Sequence, residues 1–249
     1  MKVGLVLEGG AMRGMYTAGV LDTFLDNDIK VDGIIGTSAG VLFGVNYPSK
    51  QRGRVIRYNK KYCKDKRYMG LYSLLTTGNI INKDFSFYEV PFKLDSILNQ
   101  MEVLRATSSM PFVSKIVEID GKKYLDGGVT DAIPVDKCKE LGYDKIIVVL
   151  TRVKEYRKKK SSDFLAKLVY GKYPKLIEAM NRKYQVYNDT VERIIDSENK
   201  KEIFVIRPSR LVNISRIEKD ENKLEEMYNL GIEDSKRLMN DLKEYLRNK

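Results

Sequence analysis

The chain has 249 residues, with 45 Lys and Arg against 34 Asp and Glu, a formal net charge of +11, and no histidine. With 43% hydrophobic and 32% charged residues it can fill the core of one large α/β domain or two small ones, which excludes a disordered chain. Its two cysteines, Cys63 and Cys138, lie far apart with no CxxC and no histidine partner, which argues against a disulfide framework or a metal site and for a reducing, cytoplasmic setting.

The opening "MKVGLVLEGG" is too short for the apolar region of a signal peptide, and no later run approaches the ~18 apolar residues of a membrane-spanning helix. Residues 2–7 predict a short buried strand, and Gly9, Gly10 and Gly14 punctuate the turn after it. Apolar residues at helical spacing predict a helix over 15–28, followed by a second strand over 31–36 and a buried helix over 39–47. This alternation argues for a parallel sheet with right-handed crossovers. Residues 123–128 (KYLDGG) predict a strand ending in a glycine turn, and 144–150 (DKIIVVL) a β-branched strand covered on both faces. The polar, basic stretch 151–163 reads as a loop. Helical periodicity over 164–196, a strand over 202–208 and an amphipathic helix in the last thirty residues complete the chain.

Gly36-Thr37-Ser38-Ala39-Gly40 matches G-x-S-x-G between a predicted strand and a predicted helix. A sharp strand-to-helix turn admits only small neighbours and lifts the serine hydroxyl above the sheet, where the helix N-terminus favours developing negative charge. The same spacing also suits a purely structural turn. The glycine-rich segment "LEGGAMRG" (7–14) opens a helix with exposed N–H groups, which makes an anion site. A dinucleotide fingerprint fits it poorly: Ala11 stands at the middle-glycine position, and the carboxylate expected at the end of the second strand is absent. An oxyanion hole built from the N–H groups of Gly10 and Ala11 fits better, with Arg13 either adding positive charge or standing solvated at the helix start.

Without histidine, every Ser-His-Asp arrangement is excluded, which leaves a carboxylate or a neutral lysine as base for Ser38. Asp126 lies at a predicted strand end before Gly127 and Gly128, and would need a partly desolvated site to act as a base. It serves equally as a turn cap. Lys122, Lys123, Asp131 and Asp136 are the alternatives nearby.

The segments "GLVLEGGAMRGMYTAGVLDTFLD", "IIGTSAG", "LRATSSMPF" and "YLDGGVTDAIPV", in this order, resemble a bacterial patatin-like phospholipase over roughly residues 2–152. The resemblance implies a three-layer α/β/α fold with a mostly parallel central sheet and, in this chain, a helical C-terminal region. It implies Ser38 as nucleophile, Asp126 as base and the 9–14 loop, with Gly10, Ala11 and Arg13, as oxyanion hole. Gly9, Gly14, Gly36, Gly40, Gly127 and Gly128 are the supporting motif glycines. An acyl-lipid substrate cleaved through an acyl-enzyme, with no cofactor or metal, follows from the same likeness. The sequence divides into a catalytic core, 1–155, and a mainly helical C-terminal region, 156–249, packed on it. Two departures stand out. Ala11 replaces a glycine usual in the loop, and near 96–103 strand-forming sequence is missing, through a deletion or a gap in the chain.

The segment 51–68 carries eight Lys and Arg, one acid and three tyrosines, and 152–160 is basic as well. Each is either a solvated face or a patch for peripheral contact with an anionic membrane surface. No nucleic-acid motif accompanies the charge. A non-catalytic basic protein binding anionic lipid on the same fold is the alternative reading, and a nucleotide-binding oxidoreductase a distant third.

Overall fold

A computed structural model of the chain describes residues 1–82, 85–86, 101–162 and 164–248. The first half runs β1 (Val3–Leu7), a 3-10 turn (Ala11–Gly14), α1 (Met15–Asp26), β2 (Gly33–Gly36), α2 (Ala39–Gly44), α3 (Arg54–Tyr62), α4 (Leu71–Thr77) and α5 (Met101–Thr107). Then come β3 (Val117–Ile119), β4 (Lys122–Tyr124), a 3-10 turn (Gly127–Val129), α6 (Val135–Glu140) and β5 (Lys145–Val149). The rest is α7 (Phe164–Tyr170), α8 (Pro174–Asn199), β6 (Phe204–Ile206), α9 (Glu221–Arg237) and α10 (Met239–Arg247). The expectation of missing sequence near 96–103 falls mainly on 87–100, outside the described residues.

The sheet has the order β2-β1-β5-β6 and every pairing in it is parallel. Alternation along its central strands builds two cores. Leu5 and Leu7 of β1, Ile147 and Val149 of β5 and Ile206 of β6 face one side, where α1, α3 and α9 cover them. Val6, Ile146, Val148 and Val205 face the other, against α6 and the Tyr187–Val191–Ile194 stripe of α8. A strand buried on both faces reads as a continuous apolar run, as β1 and β5 do. The result is three layers, α/β/α.

The register aligns Leu7 with Gly36 and with Val149, and Val149 with Ile206. All four strands therefore end at one level, and the turns after them share one rim. That rim is where an open parallel sheet gathers reactive groups.

Three expectations change in detail. The helical stretch 164–196 is two helices, because Pro174 at the start of α8 lacks the N–H to continue α7. The C-terminal helix breaks at Leu238 into α9 and α10. The strand predicted at 123–128 is shorter, and it does not belong to the central sheet. It is β4, paired antiparallel with β3 across Asp120 and Gly121, both at positive φ (50° and 72°). An Asp-Gly pair in this conformation is a two-residue hairpin turn.

The C-terminal region is bound tightly to the first helix. A Cβ placed on Gly231 of α9 would stand 2.2 Å from the Tyr16 carbonyl oxygen of α1, and one on Gly19 would stand 2.1 Å from that of Tyr228. Buried hydrogen bonds flank this contact: the Tyr16 hydroxyl donates to Asp234 at 3.1 Å and the Tyr228 hydroxyl to Asp22 at 2.7 Å. Gly231→Ala is expected to cost about 2 kcal/mol, since neither backbone can retreat without breaking those bonds. Urea denaturation checks this, and an unchanged midpoint would contradict the packing described.

Candidate active site

Ser38 sits where β2 hands over to α2. Its backbone is at φ 54° and ψ −128°, a conformation an L-residue adopts only when its surroundings enforce it. The enforcement is steric. A Cβ on Gly40 would lie 2.6 Å from the Leu7 carbonyl oxygen, and one on Gly36 would lie 2.8 Å from the Val41 nitrogen. Both positions must be bare for the helix to start this close to β1. The Ser38 N–H donates to Thr107 Oγ1 of α5 at 3.1 Å, and Thr37 Oγ1 donates to the Asp131 carbonyl at 3.0 Å.

Asp126 arrives from the β3–β4 hairpin and not from the central sheet. Its carboxylate divides its work. Oδ1 accepts the Gly128 N–H at 2.8 Å and caps the turn, while Oδ2 accepts the Ser38 hydroxyl at 2.7 Å. The residue is 8% exposed, so both bonds lie in a largely dry setting. One carboxylate thus caps the turn and meets the Ser38 hydroxyl at the same time. The alternatives lie elsewhere: Asp136 pairs with Arg193 at 2.8 Å, Asp131 accepts the Ile133 N–H, and Lys122 and Lys123 are exposed on the hairpin.

The glycine-rich loop lies against this turn. A Cβ on Gly9 would stand 3.3 Å from that of Ser38. Gly9 N–H donates to the Ala132 carbonyl, but the N–H groups of Gly10 and Ala11 find no acceptor among the described residues. Ala11 has φ 50°, the left-handed region that glycine enters freely. The alanine is accommodated with backbone strain, and its N–H is retained. Gly14 packs beneath Phe43 and Ala39. Arg13 makes no hydrogen bond to Ser38 or Asp126. Its buried Nε has no partner, and burial, followed by the nearby Arg152, pushes its pKa down to about 10.

The family model described as patatin-like phospholipase matches residues 5–68 and 70–138, more than half of the chain. The chain belongs to the patatin-like phospholipase family. A second model, described as a domain of unknown function (DUF6363), matches residues 173–247. The chain is 30% identical over 189 residues to "Uncharacterized protein YjjU" of Escherichia coli (strain K12), covering 60% of this chain and 52% of that one. It is 29% identical over 178 residues to "Lysophospholipase NTE1" of Candida albicans, covering 59% of this chain and 13% of that one. For "Lysophospholipase nte1" of Aspergillus fumigatus the identity is 30%, over 59% of this chain and 12% of the relative. The chain thus spans about half of the first relative's length and roughly an eighth of the others'.

Around the patatin-like turn the structure adds residues that the sequence reading passed over. Thr107, inside "LRATSSMPF", fixes the Ser38 amide. Glu8 is 2% exposed and accepts the Thr151 N–H at 2.6 Å and the Tyr187 hydroxyl at 2.9 Å, tying the loop to β5 and α8. A carboxylate ending a buried strand was the only local signal for it. An apolar cavity of about 110 Å³ opens beside Ala11 and Ala39 and runs between Leu42, Phe43, Val55 and Tyr58. Among the described residues no group of three or more His, Cys, Asp or Glu is placed to hold a metal ion, and no helix is long and apolar enough to cross a membrane.

Strain at Ser38 has a measurable signature. Both Ser38→Ala and Ser38→Gly lose the hydroxyl, but only glycine relieves φ 54°. Ser38→Gly is expected to be the more stable of the two by about 1 kcal/mol in urea denaturation, and Ala11→Gly to gain stability in the same direction. The reverse order for Ser38 would remove the claim of strain.

Proposed function

We propose that this chain is a serine acyl-ester hydrolase acting on phospholipids or other acyl lipids. The observation that carries the reading is the 2.7 Å hydrogen bond from Ser38 Oγ to Asp126 Oδ2, in a chain with no histidine to stand between them. Ser38 Oγ attacks the ester carbonyl carbon while Asp126 Oδ2 takes its proton. The carbonyl oxygen becomes an oxyanion held by the N–H groups of Gly10 and Ala11, each donor contributing on the order of a hundredfold in rate. The C–O bond to the alcohol then breaks, and the alcohol leaves with the proton from Asp126. Asp126 next takes a proton from water, which attacks the acyl-enzyme, and Ser38 recovers its proton as the acid departs. The apolar cavity beside Ala11 and Ala39 fits the acyl chain. Family membership and the relatives named as lysophospholipases support the same substrate class.

In this reading residues 1–155 are the catalytic core and 156–249 a region packed on it. The protein works at a lipid surface as a peripheral partner, in the reducing cytoplasm where Cys63 and Cys138 stay free. Large apolar side chains are unusually exposed on α4 (Leu71, Leu75) and α7 (Phe164, Leu168). The segment between these helices links them: Ile80 N–H donates to the Val113 carbonyl at 2.7 Å, and Phe112 N–H to the Tyr170 hydroxyl at 2.8 Å. The basic stretch 51–68 supports membrane contact less, because Arg52, Lys60 and Lys64 are already paired with Asp26, Glu225 and Glu221.

Two measurements bear on this. Ser38→Ala and Asp126→Asn are expected to lower kcat for a soluble short-chain ester by about a thousandfold or more; full turnover by Ser38→Ala would refute the mechanism. The pair Leu75→Glu and Leu168→Glu is expected to abolish sedimentation with anionic vesicles while sparing that soluble reaction. Unchanged sedimentation would move the contact to another face.

A further inference from the structure

Five cations from four separate parts of the chain feel one another's charge near the glycine-rich loop. Arg13 stands in the glycine-rich loop, Arg152 and Lys158 follow β5, Lys183 lies on α8 and Arg216 precedes α9. Aromatic rings set the geometry. Lys158 Nζ lies 3.7 Å from the centroid of the Tyr187 ring, whose hydroxyl donates to Glu8. Arg152 lies 4.2 Å over Tyr156, and the Tyr156 and Tyr187 rings meet at 6.0 Å. Lys183 precedes Tyr187 by one helical turn and, with Gly128 and Thr130, lines a small pocket behind the Asp126 turn. Arg13 has a buried, unpartnered Nε, and its charged neighbours include Arg152, Glu8 and Arg216.

Unlike most unpaired basic groups of the chain, Arg13, Arg152, Lys158 and Lys183 are partly buried. None of the five forms an ion pair among the described residues, whereas Arg52, Lys60, Lys64, Arg157 and Arg193 each meet a carboxylate. The carboxylates at hand are Glu8 and Asp126. Glu8 is engaged by Thr151 and Tyr187, and Asp126 by Ser38 and Gly128. Mutual repulsion is costly for the four partly buried cations, Arg13, Arg152, Lys158 and Lys183, while Arg216 is exposed; an anion is the physical remedy. Burial first, then Lys183, holds Lys158 down to about 7, with Arg13 and Arg216 adding to the effect and Glu8 opposing it.

We propose that this cluster is a binding subsite for a phosphate monoester, placed beside the ester-cleaving residues. The ligand chemistry follows from charge and direction. Donors arriving from four parts of the chain suit three terminal oxygens carrying nearly two charges. A single carboxylate or a phosphodiester brings one charge, and a zwitterionic headgroup brings a further cation into a site that already has too many. On the reading of the chain as an acyl-lipid hydrolase, the substrate class narrows to acyl lipids with a phosphate monoester headgroup. Lys183 and Arg216 lie within residues 173–247, so the domain of unknown function supplies part of the subsite.

The test measures binding without turnover, by isothermal titration of Ser38→Ala protein with inorganic phosphate, dioctanoyl phosphatidate and dioctanoyl phosphatidylcholine. Phosphate and phosphatidate are expected to bind at neutral pH, and Lys158→Met and Lys183→Met each to weaken both by about tenfold or more. An anion favours the charged form of Lys158, so its contribution is present below pH 7 and fades above it. Lys158→Arg, always charged, is expected to keep phosphate affinity at about pH 9 where the lysine protein loses it, a result that a merely structural role does not give. Phosphatidate binding tighter than phosphate assigns the site to a lipid headgroup, and equal affinity assigns it to the free anion; both uphold the subsite. Absent phosphate binding, no change in either Met variant, or phosphatidylcholine bound as tightly as phosphatidate overturns it. Because the titrations need no catalysis, loss of the hydrolase reading would leave this outcome legible on its own.

Discussion

The hydrogen bond between Ser38 and Asp126 joins positions 88 residues apart, and much of the fold exists to make it possible. In a histidine-assisted site the imidazole bridges nucleophile and carboxylate, and small errors can be taken up by its rotation. In the proposed mechanism the carboxylate itself must reach the hydroxyl, so hairpin, turn and strand end must agree to within a hydrogen bond's tolerance. Several separate ties hold that agreement. Asp126 N–H donates to the Ser109 carbonyl, Thr37 Oγ1 to the Asp131 carbonyl and Ser38 N–H to Thr107. Removing any one loosens the hairpin relative to β2.

The rim of the parallel sheet is the rigid reference for this arrangement. β1 ends in Glu8 and the glycine-rich loop, β2 in the Ser38 turn and β5 in Thr151 and Arg152. Within the site, backbone strain sits at Ser38 and Ala11, both at positive φ, and the dense α1–α9 packing below the sheet helps to offset it. The C-terminal region is therefore part of the same physical unit as the site. It supplies β6 at the sheet edge, α9 against α1, and Tyr187 on the buried carboxylate of Glu8.

Local steric demands were legible in the sequence. A strand followed by G-x-S-x-G permits few structures, and the absent histidine pointed toward a carboxylate or a lysine before any geometry was known. The apolar runs of β1 and β5 likewise announced a sheet covered on both faces. The strand expected in "KYLDGG" exists in shortened form as β4, but it pairs with β3 across Asp120 and Gly121 and not with the central sheet, a partnership its own pattern does not announce. Long-range electrostatics left no local trace. Nothing in 51–68 reveals that Lys60 and Lys64 meet Glu225 and Glu221, some 160 residues on (165 and 157). Nor does any spacing bring Arg13, Arg152, Lys158, Lys183 and Arg216 together, because the fold alone does so.

The site's chemistry rests on one claim, that Ser38 becomes covalently acylated with Asp126 as its only proton partner. Peptide mass mapping after a rapid acid quench with a slowly deacylating ester tests it most directly. The account predicts an acyl mass on the peptide containing Ser38 in the wild-type protein, and none in Asp126→Asn over the same interval. Ester turnover with acyl label on another residue, or an equally rapid burst of label at Ser38 in Asp126→Asn, would contradict it.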